Sequence, residues 1–482
     1  MDMNLSPEII GPALDAILAR LRNAYRLDPN PSRAQRFDWL GRLADLTERH
    51  GEELVAAISS DFSHRSPNET RLADLLTIVA SIRHAQRHLG RWMKPQRVAT
   101  ALQYLPARNR LLSQPLGVVG IISPWNYPHQ LAFGPAIAAF AAGNRIMLKP
   151  SELTPAYSAL LAKLVEQYFT PDEMVVVPGS MEVGKAFSEL PFDHLVFTGS
   201  TATGRQVAIA AAKNLTPVTL ELGGKSPAIV DDSANLAAAA KSLAFGKLLN
   251  SGQTCVAPDY LLVPENRRDD MVGALTAAAT KMYPTLADNP DYTAIINERH
   301  FARLQGLLDD AVAKGAQLVA LTGASQDEIA LGKARRKMAP TLVLNVTPEM
   351  RLMNEEIFGP LLPIVTYKDG IREAISYINR HDRPLALYWY GENANNRDLV
   401  LEQTVSGGVT VNDCIWHLAQ EAQPFGGVGA SGMGAYHGEW GYRAMSKVKP
   451  VFYQSKLNGI GLLYPPYGKT FARMLRLLKL IG

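Results

Sequence analysis

Across residues 111–144, 34 consecutive positions carry no Asp, Glu, Lys or Arg. Water solvates so long an uncharged, largely apolar run poorly, so it must be buried in lipid or in protein. Pro115, Pro124, Pro128 and Pro135, with Gln114, Asn126 and Gln130, break any apolar helix of membrane-spanning length. The run therefore predicts a buried strand, a buried loop and a buried helix inside a large soluble core. The chain is long enough to build one: 482 residues, 47% hydrophobic and 20% charged, predict two or three globular domains. The same composition excludes a mostly disordered or fibrous protein.

The net charge of +4 is small and dispersed, and no nucleic-acid partner is expected. One segment departs from this balance. Residues 440–482 hold eight Lys/Arg and no Asp/Glu, which leaves the rest of the chain at −4. The two cysteines, Cys255 and Cys414, exclude a disulfide scaffold and a Cys-built zinc site; no metal is expected, and a reducing compartment is. The opening MDMNLSPEII has no basic region ahead of an apolar stretch, so a cytoplasmic location is expected rather than secretion.

Apolar residues recur at helical spacing in 9–27, 39–46, 54–58 and 72–89, so 1–92 is predicted helical. Residues 98–120 predict a strand pair that leads into an apolar strand at 118–122. Alternation follows. Helix 129–142 stops at Gly143-Asn144, strand 145–148 comes next, and Thr154-Pro155 opens helix 155–168. Strands 174–177 and 194–197, a short helix ending at 190, helix 203–213, strands 218–220 and 228–230 and helix 235–249 complete this run. Such alternation implies a parallel sheet with helices on both faces. A second α/β pattern spans 255–430, with strands at 260–263, 317–321 and 361–366 and helices at 268–282 and 303–313. The Gly-rich run 426–438 ends it, and 447–453 reads as one strand.

Two glycine motifs are set aside. Gly427-Val-Gly-Ala-Ser-Gly432 fits a dinucleotide fingerprint, but no clear strand precedes it and no helix opens from it. Gly224-Lys225-Ser226 resembles the end of a phosphate loop, but its first required glycine is Thr219. Other stretches carry more chemistry. Pro124-Trp125-Asn126-Tyr127-Pro128 falls where an apolar strand ends and a helix begins; Asn126 there either donates to an oxyanion or caps the helix. The stretch from Phe197 to Gly204 runs a strand into a helix start, which is an anion site or a plain cap. Glu221 ends an apolar strand, where burying a carboxylate is costly unless it is used. Cys255 follows 34 residues later on a loop, as a nucleophile or as inert packing.

In this order and spacing these motifs, with Lys149-Pro-Ser-Glu152, Asn354-Glu-Glu-Ile-Phe-Gly-Pro360 and Pro424-Phe-Gly-Gly427, resemble the aldehyde dehydrogenase superfamily over nearly the whole chain. The run Gly429 to Gly438, and the absence of an extra amino-terminal arm, are most similar to the class 3 branch and, within it, to bacterial coniferyl aldehyde dehydrogenases. The resemblance implies an α/β fold. A Rossmann-like cofactor domain would span 1–97 and 119–223, and an α/β catalytic domain 224–430. A bridging β element would combine 98–118 with 444–456, ahead of a tail at 457–482. It implies oxidation of a hydrophobic or aromatic aldehyde with NAD, NADP being tolerated less well, in a homodimer. Matched residue by residue, Cys255 is the nucleophile, Glu221 the general base and Asn126 the oxyanion donor, with the backbone N–H of Cys255 as second donor. Lys149 and Glu152 would hold the adenosine ribose, Ser200 the pyrophosphate with Gly199 and Gly204 beside it in the cofactor site, Glu356 and Phe358 the nicotinamide end, and Trp125 a wall of that site. Ser123 departs from the apolar residue common at its place. Tyr127, Leu131 and Trp416 fit either a substrate entrance or ordinary core.

Two other readings compete. An acylating enzyme using coenzyme A is disfavoured by Glu221, and a catalytically silent binding protein by the joint presence of Cys255, Glu221 and Asn126. In the tail, residues 469–481 are apolar at Phe471, Met474, Leu475, Leu478 and Ile481, with Arg473, Arg476 and Lys479 on another face. Such a helix docks near a substrate entrance or makes weak contact with an anionic membrane surface.

Overall fold

A computed structural model describes residues 7–481. Residues 1–6, on which the reading of the amino terminus partly rests, and Gly482 lie outside it, as do the side chains of residues 7–9, 480 and 481. Helices Pro7–Leu27, Arg33–Arg49, Gly51–Asp61 and Thr77–Trp92 fill the amino-terminal segment.

The first sheet orders five parallel strands as Val218–Glu221, His194–Thr198, Val118–Ile122, Arg145–Lys149 and Met174–Val176. Helices cover both faces, so its central strands read as continuous apolar runs. The uncharged stretch supplies the central strand Val118–Ile122 and the helix Pro128–Ala142, which is buried nearly all round. That helix ends at left-handed Gly143, and the buried Arg36 donates to the freed carbonyls of Ala141 (3.1 Å) and Ala142 (2.8 Å).

The second sheet runs Gln317–Ala320, Thr341–Leu344, Leu361–Tyr367, Tyr260–Pro264, Pro227–Val230, Ala386–Tyr390 and Gly408–Val411, parallel except at its first strand. Strand Pro227–Val230 and helix Leu236–Leu248 belong here, not to the alternation they follow in sequence. The Gly-rich run does not simply close this half. Gly432–Met433 returns to the first sheet as an antiparallel edge, with Gly432 opposite Glu221. A Cβ at Gly427 or Gly432 would strike backbone carbonyls, so these glycines serve close chain approach rather than phosphate.

A third, antiparallel sheet pairs Arg108–Pro115 with Gln96–Val98 on one side and with Ser446–Tyr453 on the other. The helix Lys469–Ile481 touches the turn Leu102–Tyr104 beside it. Among the described residues no helix is long and apolar enough to cross a membrane.

Candidate active site

Cys255 owes its position to an unusual turn. After helix Leu236–Leu248 the backbone passes through Asn250 (φ 52°), Ser251 (φ 52°) and Gly252 (φ 74°), all left-handed. For the two non-glycine residues that costs about 1–2 kcal/mol each. Hydrogen bonds hold the turn: Asn250 N donates to Glu69 Oε1 (3.0 Å), Ser251 Oγ donates to Thr293 O, and Gln253 Nε2 donates to Asn250 O (2.9 Å) and Ala294 O (3.1 Å). A side chain at Gly252 would collide with the carbonyl of Gly359, so the cysteine loop packs directly on the chain after Phe358.

Asn126 meets the same loop, its Nδ2 donating to Gln253 O at 3.1 Å. It does not cap the next helix. Asp74 Oδ1 does that, accepting from His129 N (3.1 Å) and Gln130 N (3.2 Å). The Tyr127 hydroxyl lies 2.6 Å from Thr254 Oγ1.

Glu221 is 1% exposed, and neither carboxyl oxygen has a hydrogen-bond partner among the described residues. Burial pushes its carboxyl well above the usual range. Burial also pushes the Cys255 thiol up, and the carboxylates of Glu221 and Glu356 add to it. Burial, with Asp259 adding its charge, raises Glu356 to about 8. The Glu356 carboxyl occupies the space a side chain at Gly223 would need. Its backbone is held by Arg303, which donates to the carbonyls of Glu356 and Ile357, and by Asp259 Oδ1, which accepts from Ile357 N at 3.0 Å. Lys225 of the rejected phosphate-loop motif is committed to Asp259 and to the carbonyls of Leu352 and Glu355.

A cavity of about 110 Å³ reaches Cys255. Tyr127, Leu131 and Trp416 all line it, and so do Phe245, Ile415 and Phe425, which sequence reasoning missed. Phe425 lay within Pro424-Phe-Gly-Gly427, but Phe245 carried no signal beyond a place on the apolar helix before Cys255. Phe245 and Trp416 stack with an 11° interplanar angle, centroids 6.3 Å apart. Cys414 is buried, 2.8 Å from the Tyr390 hydroxyl, and does not line the cavity.

The remaining residues follow the carboxyl ends of the first sheet's strands, where α/β proteins place ligands. Trp125 follows Val118–Ile122 and packs edge-on against Phe358, centroids 5.5 Å apart. Lys149 ends its strand and donates to Glu152 Oε2 at 2.8 Å. Burial works to raise the Glu152 carboxyl, but the Lys149 ammonium overrides it and holds it below its usual value. Ser200 caps helix Thr201–Ala212, accepting from Thr203 N at 3.3 Å. Side chains at Gly199 and Gly204 would strike Phe197 and Leu222, so both glycines permit close helix–strand packing. A capped helix start, a Lys–Glu pair and an aromatic wall on one sheet edge fit a dinucleotide.

The sequence model of the aldehyde dehydrogenase family matches residues 13–451, and the chain belongs to that family. It is 48% identical over 474 residues to a coniferyl aldehyde dehydrogenase of a Pseudomonas species, covering 98% of this chain and 96% of the relative. Staphylococcus aureus AldH, solved in a substrate-bound state, superposes with a TM-score of 0.90 at 36% identity, covering 96% of this chain and 99% of that one. Indole-3-acetaldehyde dehydrogenase AldA of P. syringae, a mutant in complex with NAD+ and IAA, gives 0.83 at 26% identity over 92% and 89%. The protein is an NAD(P)-dependent aldehyde dehydrogenase.

Proposed function

We propose that the substrate is a hydrophobic or aromatic aldehyde, with coniferyl aldehyde the leading candidate, oxidised to its carboxylic acid through an acylated Cys255. The carrying observation is a thiol opening onto an aromatic-lined cavity, with Asn126 hydrogen-bonded to its loop and Glu221 near enough to act on its charge. The name of the 48% identical relative supports the particular aldehyde. The Cys255 thiol gives up its proton to solvent, and the thiolate sulfur adds to the carbonyl carbon, whose oxygen becomes the oxyanion. One N–H of Asn126 holds Gln253 O, and the other serves the developing oxyanion together with the Cys255 backbone N–H. Lys149 and Glu152 would hold the adenosine ribose, Gly199, Ser200 and Gly204 the pyrophosphate, and Glu356, Phe358 and Trp125 the nicotinamide end. When bound, that cofactor accepts the hydride released as the adduct becomes a thioester. Glu221, without a hydrogen-bond partner among the described residues, takes a proton from the water that attacks the thioester.

The site assignments extend to assembly. The open edge Ser446–Tyr453, with Phe452 and Tyr453 exposed on it and exposed Tyr104 packed against Phe452, supports a homodimer. The proposed enzyme acts in the cytoplasm, with a cofactor domain of 1–97 and 119–223, a catalytic domain of 224–430 and a bridging element of 98–118 and 444–456. The tail helix carries none of the residues lining the cavity, so it would reach an entrance only across a dimer; membrane contact is the alternative. NADH formation with coniferyl aldehyde, cinnamaldehyde and a short aliphatic aldehyde tests the substrate. The aromatic pair should show the higher kcat/KM, and equal or better turnover of the short aldehyde contradicts the proposal. A requirement for coenzyme A would assign an acylating reaction. Deleting 465–482 should raise KM for large aldehydes more than for small ones; vesicle binding lost with unchanged kinetics assigns the tail to lipid.

A further inference from the structure

The amino-terminal helical segment is remote in sequence from Cys255, yet it sends a fully buried ion pair into the site. Arg65 and Asp74 are both 0% exposed, with Arg65 Nη2 2.9 Å from Asp74 Oδ2. Removing two charges from water is expensive, and as a plain stabilising device such a pair is a poor one. Its partners suggest what else it does. Arg65 Nη1 donates to the carbonyl oxygen of Asn126 at 2.6 Å. The guanidinium also lies over the rings of Phe62 (5.2 Å) and Tyr127 (4.8 Å). Asp74 uses its other oxygen to hold the N–H groups of His129 and Gln130. The pair thus grips the chain on both sides of Asn126 and Tyr127. Asp74 is turned inward by a π-helical stretch, Arg71–Leu76, a local irregularity of the kind found at functional sites.

The Asn126 carbonyl accepts a second bond, from Asn250 Nδ2 at 3.0 Å, and Asn250 lies in the left-handed turn before Cys255. One carbonyl oxygen therefore ties the oxyanion segment to the nucleophile loop, and Arg65 fixes that oxygen. We propose that Arg65 is a positioning residue: through the Asn126 carbonyl, and paired to Asp74, it aims the Asn126 amide at the oxyanion formed on Cys255. This rests on the reading of Asn126 as oxyanion donor. A guanidinium suits the task because its planar fork spans Asp74 and Asn126 at once, which an ammonium does not.

Arg65→Lys keeps the charge beside Asp74 and breaks the fork. The readouts are the pre-steady-state rate of NADH formation and, without cofactor, release of nitrophenolate from an aryl ester, which builds the same oxyanion as it acylates the thiol. Both should fall about 10- to 100-fold, the cost of a misplaced group. The aldehyde KM and NAD affinity should hold. In an Asn126→Ala background the same substitution should change acylation less than about threefold, because its effect passes through Asn126. Unchanged acylation in Arg65→Lys, an equal fall in both backgrounds, or an effect confined to KM overturns the proposal. If Arg65→Lys does not fold, Arg65→Met with Asp74→Asn removes the pair without stranding a charge and is judged by the same criteria. If Asn126→Ala alone leaves acylation unchanged, the oxyanion reading falls and the proposal with it. If Asn126→Ala is slow and Arg65→Lys is not, only the proposal falls.

Discussion

Glu221→Gln keeps the shape of the side chain and removes the carboxylate proposed as the base. The Asn126 amide and the Cys255 loop make no hydrogen bond to Glu221, so acylation should survive the change. A positioned general base contributes about 10²–10⁴-fold, which is about 3–5 kcal/mol of barrier. Steady-state turnover should therefore fall by about that factor, while a stoichiometric burst of NADH remains. Stability should move the opposite way. Both carboxyl oxygens are buried and have no partner among the described residues, and leaving such a group unsatisfied costs about 1–3 kcal/mol. Glu221→Leu should recover about that much and raise the thermal midpoint while abolishing turnover. The sign with pH follows from the raised carboxyl. In the wild type the stability from a neutral Glu221 is complete below the ordinary glutamate range and is lost as pH rises toward its folded value. The advantage of Glu221→Leu should thus be larger at about pH 8 than at about pH 5. Rapid-quench kinetics and calorimetry at the two pH values check both halves. If burst and steady state fall together, Glu221 acts before deacylation. If Glu221→Leu is less stable at both pH values, the carboxyl is not an uncompensated burial.

Burial raises Glu69 to about 7, against its hydrogen bonds with Thr293 and Asn250 and the charge of Arg65. Its neutral form therefore adds stability that is complete below the model-peptide range and is lost as pH rises through about 7. Urea unfolding of Glu69→Gln should lack that loss, diverging from the wild type by up to about 3 kcal/mol, and parallel pH curves would refute it. At the cofactor edge the charged Glu152 should disfavour a 2′-phosphate, with Lys149 offsetting part of the effect. NAD should be preferred, and Glu152→Gln should raise kcat/KM for NADP relative to NAD about fivefold, the worth of about 1 kcal/mol. Equal efficiency in the wild type, or no shift in the variant, would contradict this.

Local elements were legible where the chain punctuates itself. Pro155 at a helix start and Arg268 after an apolar strand bound helices that form at Pro155–Tyr168 and Arg268–Met282, residue for residue as expected. Periodicity did not give membership of a sheet; the boundary at 223/224 came only from the family resemblance. Pro227–Val230 looks like any buried parallel strand, and nothing in its four residues says that the chain has crossed at Gly223-Gly224 into a second sheet. Gly432–Met433 was missed because two residues carry no period. In the site, motif residues such as Asn126 and Cys255 stood out by their place at strand and helix ends. Arg65, Glu69 and Asp74 did not, because a charged residue in an amphipathic segment reads as solvated surface until the fold buries it.

The central claim is that aldehyde oxidation passes through an acyl group on Cys255. Glu221→Gln should let that group accumulate, so the most direct measurement is acid quench during the burst, followed by proteolysis and mass analysis of the acylated peptide. The expected result is one acyl group per chain, formed from coniferyl aldehyde and NAD, on the peptide that holds Cys255, and none in Cys255→Ala. An acyl group on Cys414, or turnover in Cys255→Ala without any acylated peptide, would contradict the account.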